Sequence, residues 1–159
     1  MPKFDDDTDR KVSIVLSKGT LDWATASMII ANAAVSEGIE LHLFFTFYGM
    51  DAVLKNKMDH LKVTPLANPS MGMPNAIAAI PGVTAMATSM MKRMMKKENV
   101  PDHRDFIQMV CDAGGHLHVC RMTFDMFGYT KDDLYEEVED VISASDFLEI
   151  AEGGPIIFI

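Results

Sequence analysis

The strongest constraint on the fold is the alternation of apolar runs with a helical pattern near the start of the chain. Lys11–Leu16 is a β-branched apolar run, typical of a buried parallel strand. Trp23–Glu37 then places apolar residues at helical spacing, and Gly38 follows as a C-cap. Ile39–Phe47 is a second apolar run. This succession predicts an α/β fold with a mostly parallel sheet covered by helices on both faces.

The rest of the chain continues this pattern around one irregular, Pro-rich segment. We expect a flexible N-terminus over residues 1–10 and a single α/β domain over residues 11–159, since the length suits one core. The segment 63–97 holds four prolines and then a Met-rich helix over Val83–Lys97, so we interpret it as a helical insertion. Further predicted elements are a helix from Pro101 to Ala113, a strand ending at Cys120, helices over residues 134–142 and 145–152, and a strand over residues 156–159.

Composition excludes several functional classes. The net charge of −9 argues against a nucleic-acid partner, because phosphate binding needs a cationic surface. Two cysteines and an acidic start without a signal-peptide pattern favour the reducing cytoplasm. The longest uncharged stretch is broken by Pro81 and Gly82, so no membrane span is expected. A hydrophobic fraction of 48% favours self-association into a homo-oligomer.

The candidate nucleophile is Cys120, at a predicted strand-to-helix junction in the stretch Leu117–Gly128. Open α/β sheets place their chemistry at the carboxyl ends of strands. Thr123 is expected to cap the new helix, and both the helix start and Arg121 would favour a thiolate. The alternative is an inert, buried cysteine acting as a small hydrophobe. Cys111, inside a predicted helix, is expected to be buried.

A second candidate region is the loop after the first strand, which should lie at the same sheet edge as Cys120. Its residues Ser17, Lys18, Gly19, Thr20 and Asp22 could bind a small anion, giving the alternative of a non-enzymatic binding module. The sequence contains neither a Gly-x-Gly-x-x-Gly nor a Walker pattern. We therefore expect no bound cofactor.

His116, His118 and Cys120 share one face of the predicted strand, because side chains alternate along a strand. They raise the alternative of a metal-binding protein, although same-face residues lie roughly 6.6 Å apart and no familiar ligand motif supports it. His118 could instead tune the thiol or exchange protons near a substrate.

Four stretches together resemble the DsrE/DsrF/DrsH-like family, in its larger DsrE-like branch whose members are described as sulfurtransferases. The stretches cover most of the chain: residues 14–22, Phe44–Phe47, Pro81–Thr88, and the Cys-Arg-Met-Thr-Phe-Asp-Met-Phe-Gly run of residues 120–128. The resemblance implies a flavodoxin-like three-layer sandwich and a homotrimer or hexamer. It also implies that the cysteine matching Cys120 carries sulfane sulfur as a persulfide between donor and acceptor proteins. Cys111 matches no motif of the family.

Overall fold

A computed structural model describes residues 10–65, 68, 70, 72 and 74–159. Within them, five strands form one sheet in the order β4-β3-β2-β1-β5, and every neighbouring pair is parallel. The strands are β1 (Lys11–Leu16), β2 (Glu40–Phe45), β3 (His116–Cys120), β4 (Val138–Ile142) and β5 (Ile156–Phe158). The predicted parallel α/β sheet is therefore confirmed.

The helices follow the strands in the expected alternation. They are α1 (Leu21–Ser36), α2 (Asn75–Ala78), α3 (Val83–Lys97), α4 (His103–Asp112), α5 (Arg121–Phe127) and α6 (Ala144–Ile150), with short 3₁₀ turns at Phe47–Val53, Met58–His60 and Lys131–Asp133. The chain moves in one direction across the sheet from β1 to β4 and then returns to β5 at the opposite edge. Right-handed crossovers consequently place α6 on the face opposite the other helices.

The first face of the sheet carries the main core. Alternate strand residues such as Ile14, Leu43 and Leu117 are fully buried there, together with Met28 of α1 and Ile107 of α4. Alternation along each strand explains why every second side chain reaches this core. The predicted apolar patterns of β1, β2 and β3 thus supply one continuous layer beneath α1 and α4.

The second face has a much smaller apolar cluster. Val15, Phe44 and Cys120 project from the strands and pack with Phe147 and Ala151 from the α6 region. The rings of Phe44 and Phe147 stack with their centroids 4.4 Å apart. This cluster fixes the position of Cys120 under a helix of seven residues.

The helix predicted over residues 134–142 is wrong. Val138–Ile142 forms β4, which pairs with β3. The apolar residues at 134, 138, 141 and 142 fit a helical stripe, but three of them are β-branched and suit a strand edge equally well. Leu134 instead forms a bridge with Leu54, and the sheet therefore has one strand more than the sequence indicates.

Part of the 63–97 insertion is helical, as expected. The Met-rich helix has the predicted bounds, Val83–Lys97, and the shorter α2 precedes it. Residues 1–9 of the predicted N-terminal segment, and residues 66, 67, 69, 71 and 73 of the insertion, lie outside the described residues. No helix within the described ranges combines the length and apolar character needed to cross a membrane.

Candidate functional site

Cys120 lies at the junction of β3 and α5, as the sequence predicts. It is the last residue of β3 and the N-cap of α5, with φ −67° and ψ 115°, and only 8% of the residue is exposed. The expectation that Thr123 caps this helix is wrong: Arg121 is already helical, and Thr123 is a buried residue of the first turn. Cys120 itself is therefore the N-cap residue of α5.

Four polar groups near Cys120 lower the pKa of its thiol. They are the backbone N–H groups of Met122 and Thr123 and the hydroxyls of Thr46 and Thr123. Burial alone would raise the pKa of the Cys120 thiol, but these hydrogen bonds together hold that pKa below its ordinary value. The arrangement stabilises a thiolate, the form of cysteine that attacks sulfur.

The hydrogen bonds of the Thr123 hydroxyl explain how it can donate to the Cys120 sulfur. The backbone N–H of Phe47 donates to Oγ1 of Thr123 at 3.1 Å, which leaves the hydroxyl hydrogen of Thr123 available to donate. Oγ1 of Thr46 lies 3.2 Å from Oγ1 of Thr123. Phe47 achieves its bond with φ at +46°, a left-handed conformation that is unfavourable for a bulky side chain. The turn after β2 is thus bonded to the first turn of α5.

Arg121 is bonded to β4 and is not among the groups that lower the pKa of the Cys120 thiol. Its guanidinium donates to the backbone carbonyl of Val141 in β4. The groups that lower the pKa of Cys120 are Thr46, Met122 and Thr123. Because residues 138–142 were predicted as a helix, the sequence did not place the carbonyl of Val141 next to β3, where Arg121 binds it.

Cys111 contrasts with Cys120. It lies in α4, partly buried against the main core. Burial, reinforced by the negative charges of Glu137, Asp112 and Glu139, raises the pKa of the Cys111 thiol to about 12. Cys111 is therefore only partly buried, less than expected, and its raised pKa disfavours the thiolate at neutral pH.

His118 lies on the same sheet face as Cys120 but is engaged elsewhere. Its Nε2 lies 3.0 Å from Nδ1 of His42, and its Nδ1 lies 2.6 Å from Oδ1 of Asp140. His42 in turn reaches Oε1 of Glu40 at 2.8 Å, so four side chains form one hydrogen-bonded chain across three strands. With both ring nitrogens occupied, His118 supports the sheet rather than touching the thiol.

The predicted residues of the loop after β1 have two different roles. Ser17 donates its hydroxyl to the carbonyl of Ile159, which ties β1 to the end of the chain. The other four predicted residues help to line an open cleft of about 800 Å³ at this edge of the sheet: Lys18, Gly19, Thr20 and Asp22. Trp23 and Tyr48 complete its aromatic wall. Cys120 does not line this cleft, so the predicted site residues belong to two groups, one around Cys120 and one in the cleft.

The metal alternative gains no geometric support. Among the residues that the structure describes, no group of three or more His, Cys, Asp or Glu side chains is arranged to hold a metal ion. His116 pairs with Glu139 at 2.7 Å, and both nitrogens of His118 already have partners. Neither histidine is among the groups that lower the pKa of the Cys120 thiol.

Thr46 is the site residue that sequence reasoning missed. It follows the last residue of β2, and β2 is the direct neighbour of β3 in the sheet. Carboxyl ends of neighbouring parallel strands meet at one edge, so a hydroxyl directly after β2 could have been placed near Cys120. The order of the strands was the missing information.

Residues 8–159 match the DsrE/DsrF/DrsH-like family. The sulfur carrier protein DsrE2 of Allochromatium vinosum is 37% identical over 150 residues, covering 89% of this chain and 92% of that protein. The Bacillus subtilis protein YrkE is 29% identical over 160 residues, covering 94% and 97% of the two chains.

Two solved structures share the fold at low identity. The ychN protein from E. coli gives a TM-score of 0.60 at 11% identity, covering 94% of this chain and 99% of that one. MTH1491 from Methanobacterium thermoautotrophicum gives 0.55 at 13% identity, covering 95% and 100%. These neighbours agree with the flavodoxin-like sandwich that the sequence predicts. With the family match spanning nearly all of the sequence, the chain belongs to the DsrE/DsrF/DrsH-like family.

Proposed function

We propose that this chain is a sulfur-relay protein in which Cys120 carries sulfane sulfur as a persulfide. The observation that supports this most directly is the lowered pKa of the Cys120 thiol, caused by four nearby polar groups of Thr46, Met122 and Thr123. The sulfur carrier among its relatives supports the same role. Cys111, with a pKa of about 12, is unsuited to it.

The relay consists of two thiolate displacements. The Cys120 thiolate attacks the terminal sulfur of a donor persulfide R–S–SH, a new S–S bond forms, and the donor S–S bond breaks to release R–S⁻. An acceptor thiolate then attacks the outer sulfur of Cys120–S–SH, takes the SH group and returns Cys120 as a thiolate. Each step exchanges one S–S bond for another, so no external oxidant or reductant is consumed.

The donors around the sulfur have a role in both steps. Thr46, Thr123 and the backbone N–H of Met122 stabilise the thiolate before loading and when it leaves during unloading. A lower pKa of the leaving thiol speeds thiol–disulfide exchange. The same donors therefore favour release of the cargo as well as its capture.

Incubation with inorganic polysulfide tests the proposal. A hydropolysulfide transfers one sulfur to Cys120 and leaves a chain shorter by one sulfur. We expect intact-protein mass spectrometry to show a gain of one sulfur atom, and peptide mapping to place it on Cys120. Cys120→Ser should abolish the gain, and Cys111→Ser should retain it. A wild-type protein that stays unmodified, or that is modified at Cys111, would sink the proposal.

A second candidate function is small-anion binding in the cleft at residues 18–22. Within the described part of the chain, the Thr20 hydroxyl is buried without a hydrogen-bond partner and can donate to an anion, and Lys18 supplies a cation at the same cleft. A thermal shift with thiosulfate that survives Cys120→Ala but is lost in Lys18→Ala would support this function. Equal shifts in all three proteins would exclude the cleft as the binding place.

The relay further requires donor and acceptor proteins, and we propose that the chain meets them as a homotrimer or hexamer in the cytoplasm. Exposed apolar side chains on both sides of the sheet support self-association, among them Ile29 and Ile30 of α1 and Phe158 of β5. A reducing compartment would keep the unloaded Cys120 as a thiol. Sedimentation analysis that finds only a monomer at micromolar concentration would contradict the oligomer.

A further inference from the structure

A groove beside α3 contains a cluster of positively charged side chains, although the protein as a whole is acidic. It has a volume of about 630 Å³ and runs between α3 and the turn at Met58–His60. Its cations are Lys62, Lys92, Arg93 and Lys96, with His60 beside them. We call these residues the basic groove. The chain as a whole carries a net charge of −9, so this concentration is local.

The four cations of the basic groove have no carboxylate partners among the described residues, whereas four cations elsewhere do. Lys11, Lys55, Lys57 and Arg104 each pair with an Asp or Glu. Asp59 lies in the groove, but Arg104 holds its carboxylate through two bonds of 2.8 and 2.9 Å. Asp102 is the remaining acid of the lining. The groove therefore presents a surplus of uncompensated positive charge.

An apolar ridge runs along α3 next to the basic groove. Met86, Met90 and Met94 are 63%, 61% and 46% exposed. Their spacing of four residues places them in one line along the helix, adjacent to the line that contains Ser89, Arg93 and Lys96. We call these three residues the Met ridge. Methionine is adaptable and recurs on surfaces that receive amphipathic helices.

We propose that the basic groove and the Met ridge together form a docking surface for an acidic amphipathic helix of another protein. Carboxylates one helical turn apart on such a helix would face Arg93 and Lys96, which are themselves one turn apart on the line next to the Met ridge. Apolar residues on its neighbouring face would cover the Met ridge. A small anion would satisfy the cations but leave the ridge exposed, so the combined surface fits a helix better.

A second copy of this chain fits the surface less well. The acids of the stretch Glu136–Asp140 are exposed, but Val138 among them is half-buried, and the apolar residues around it, Leu134, Tyr135 and Val141, are buried in their own protomer. That stretch consequently has carboxylates for the groove but no exposed apolar side chains for the Met ridge. The favoured occupant is a different protein.

The docking surface lies at the same edge of the sheet as Cys120. The carbonyl of Lys62 accepts a hydrogen bond of 3.0 Å from Leu21, at the start of α1 and just beyond the carboxyl end of β1. Cys120 ends β3 at the same edge of this parallel sheet. A protein held in the groove would approach that edge, although the docking itself does not require any sulfur on Cys120.

Fluorescence anisotropy with a labelled synthetic helix tests the proposal on the full chain. The probe is a peptide with Glu pairs four residues apart on one face and Leu on the next, and its control is a scrambled peptide of the same composition. We expect the amphipathic peptide to bind more tightly than the scrambled one. Reversing one groove charge with Lys96→Glu should weaken binding by about tenfold, since a like charge then faces a carboxylate. Met90→Ser should also weaken it.

Lys131→Glu is the matched control, because it makes the same charge change on an exposed residue away from the groove. It should leave binding unchanged. Equal binding of both peptides, or equal loss in Lys96→Glu and Lys131→Glu, would reduce the effect to general charge attraction and overturn the proposal. Tighter binding by a chain carrying Asp5→Asn, Asp6→Asn and Asp7→Asn would assign the groove to the chain's own N-terminus instead. Self-association lost in Lys96→Glu would assign it to a second copy.

Discussion

The hydroxyl oxygens of Thr46 and Thr123 lie 3.2 Å apart beside the Cys120 sulfur, although 77 residues separate them in the sequence. One follows β2 and the other belongs to the first turn of α5. Two parallel strands therefore bring their ends together to build one thiolate environment. This relationship makes the reactivity of Cys120 depend on a residue outside its own motif.

Replacing Thr46 by valine should raise the pKa of Cys120, because one donor to the thiolate is lost while the shape is kept. The rate of iodoacetamide alkylation should then follow a pH profile displaced upward from that of the wild type. Thr25→Val on α1 is the control. Identical profiles for Thr46→Val and wild type would contradict the role of this hydroxyl.

The two cysteines should differ in their reactivity at neutral pH. The pKa of Cys111 is about 12 and that of Cys120 is lowered, so nearly all thiolate in the folded chain belongs to Cys120. Brief alkylation at pH 7 followed by peptide mapping should label Cys120 first. Labelling in urea should reach both, which shows that the difference depends on the fold.

Removing the Phe147 ring should uncover Cys120. Phe147 packs with Phe44 and Cys120 on the second face of the sheet, so Phe147→Ala should lower the free energy of unfolding by about 3 kcal/mol. It should also speed the reaction of Cys120 with a bulky thiol reagent. Leu148→Ala, next to it on the exposed side of α6, should change stability by less than about 0.5 kcal/mol and leave the reaction rate unchanged. Equal reaction rates in the two variants would show that α6 does not cover the thiol.

Stability should fall between pH 7.5 and pH 5 because of buried histidines. Burial is the main cause that lowers the pKa of both His42 and His103, so the folded state binds fewer protons than the unfolded chain. Their contribution is present above the pKa of an unfolded histidine and is lost as the pH falls through the folded pKa. Each residue can add a slope of at most about 1.4 kcal/mol per pH unit.

Urea unfolding at several pH values measures this slope. His103→Gln should make it shallower, and the exposed His60→Gln should not. If His103→Gln retains the full slope, the buried imidazole is not its source.

The sequence was sufficient for most of the sheet and for the position of Cys120. The apolar runs of β1, β2 and β3 do not fit a helical spacing and were therefore predicted as strands. The predicted bounds of α3 agree with the structure because Gly82 marks its start and the basic last turn marks its end. β4 failed because Val138, Val141 and Ile142 satisfy a helical stripe as well as a strand, and only pairing with β3 decides between them.

The surroundings of Cys120 were less predictable, since they depend on contacts between distant residues. Thr46 lies near Cys120 because β2 and β3 are neighbours in the sheet. The guanidinium of Arg121 binds the carbonyl of Val141 because β4 lies beside β3. The environment of a thiol is decided by which strands lie side by side. Local motifs do not contain that information.

Cys120 is the N-cap of α5, and the backbone N–H groups of Met122 and Thr123 in the first turn contribute to the lowered pKa of its thiol. Protonation, loading or unloading of that sulfur should therefore shift the resonances of these two amides more than those of other amides in the helix. The backbone resonances of Met122 and Thr123 therefore form an internal sensor of the cargo. A titration followed at these two signals would reveal the occupancy of the protein without a label or an added reporter.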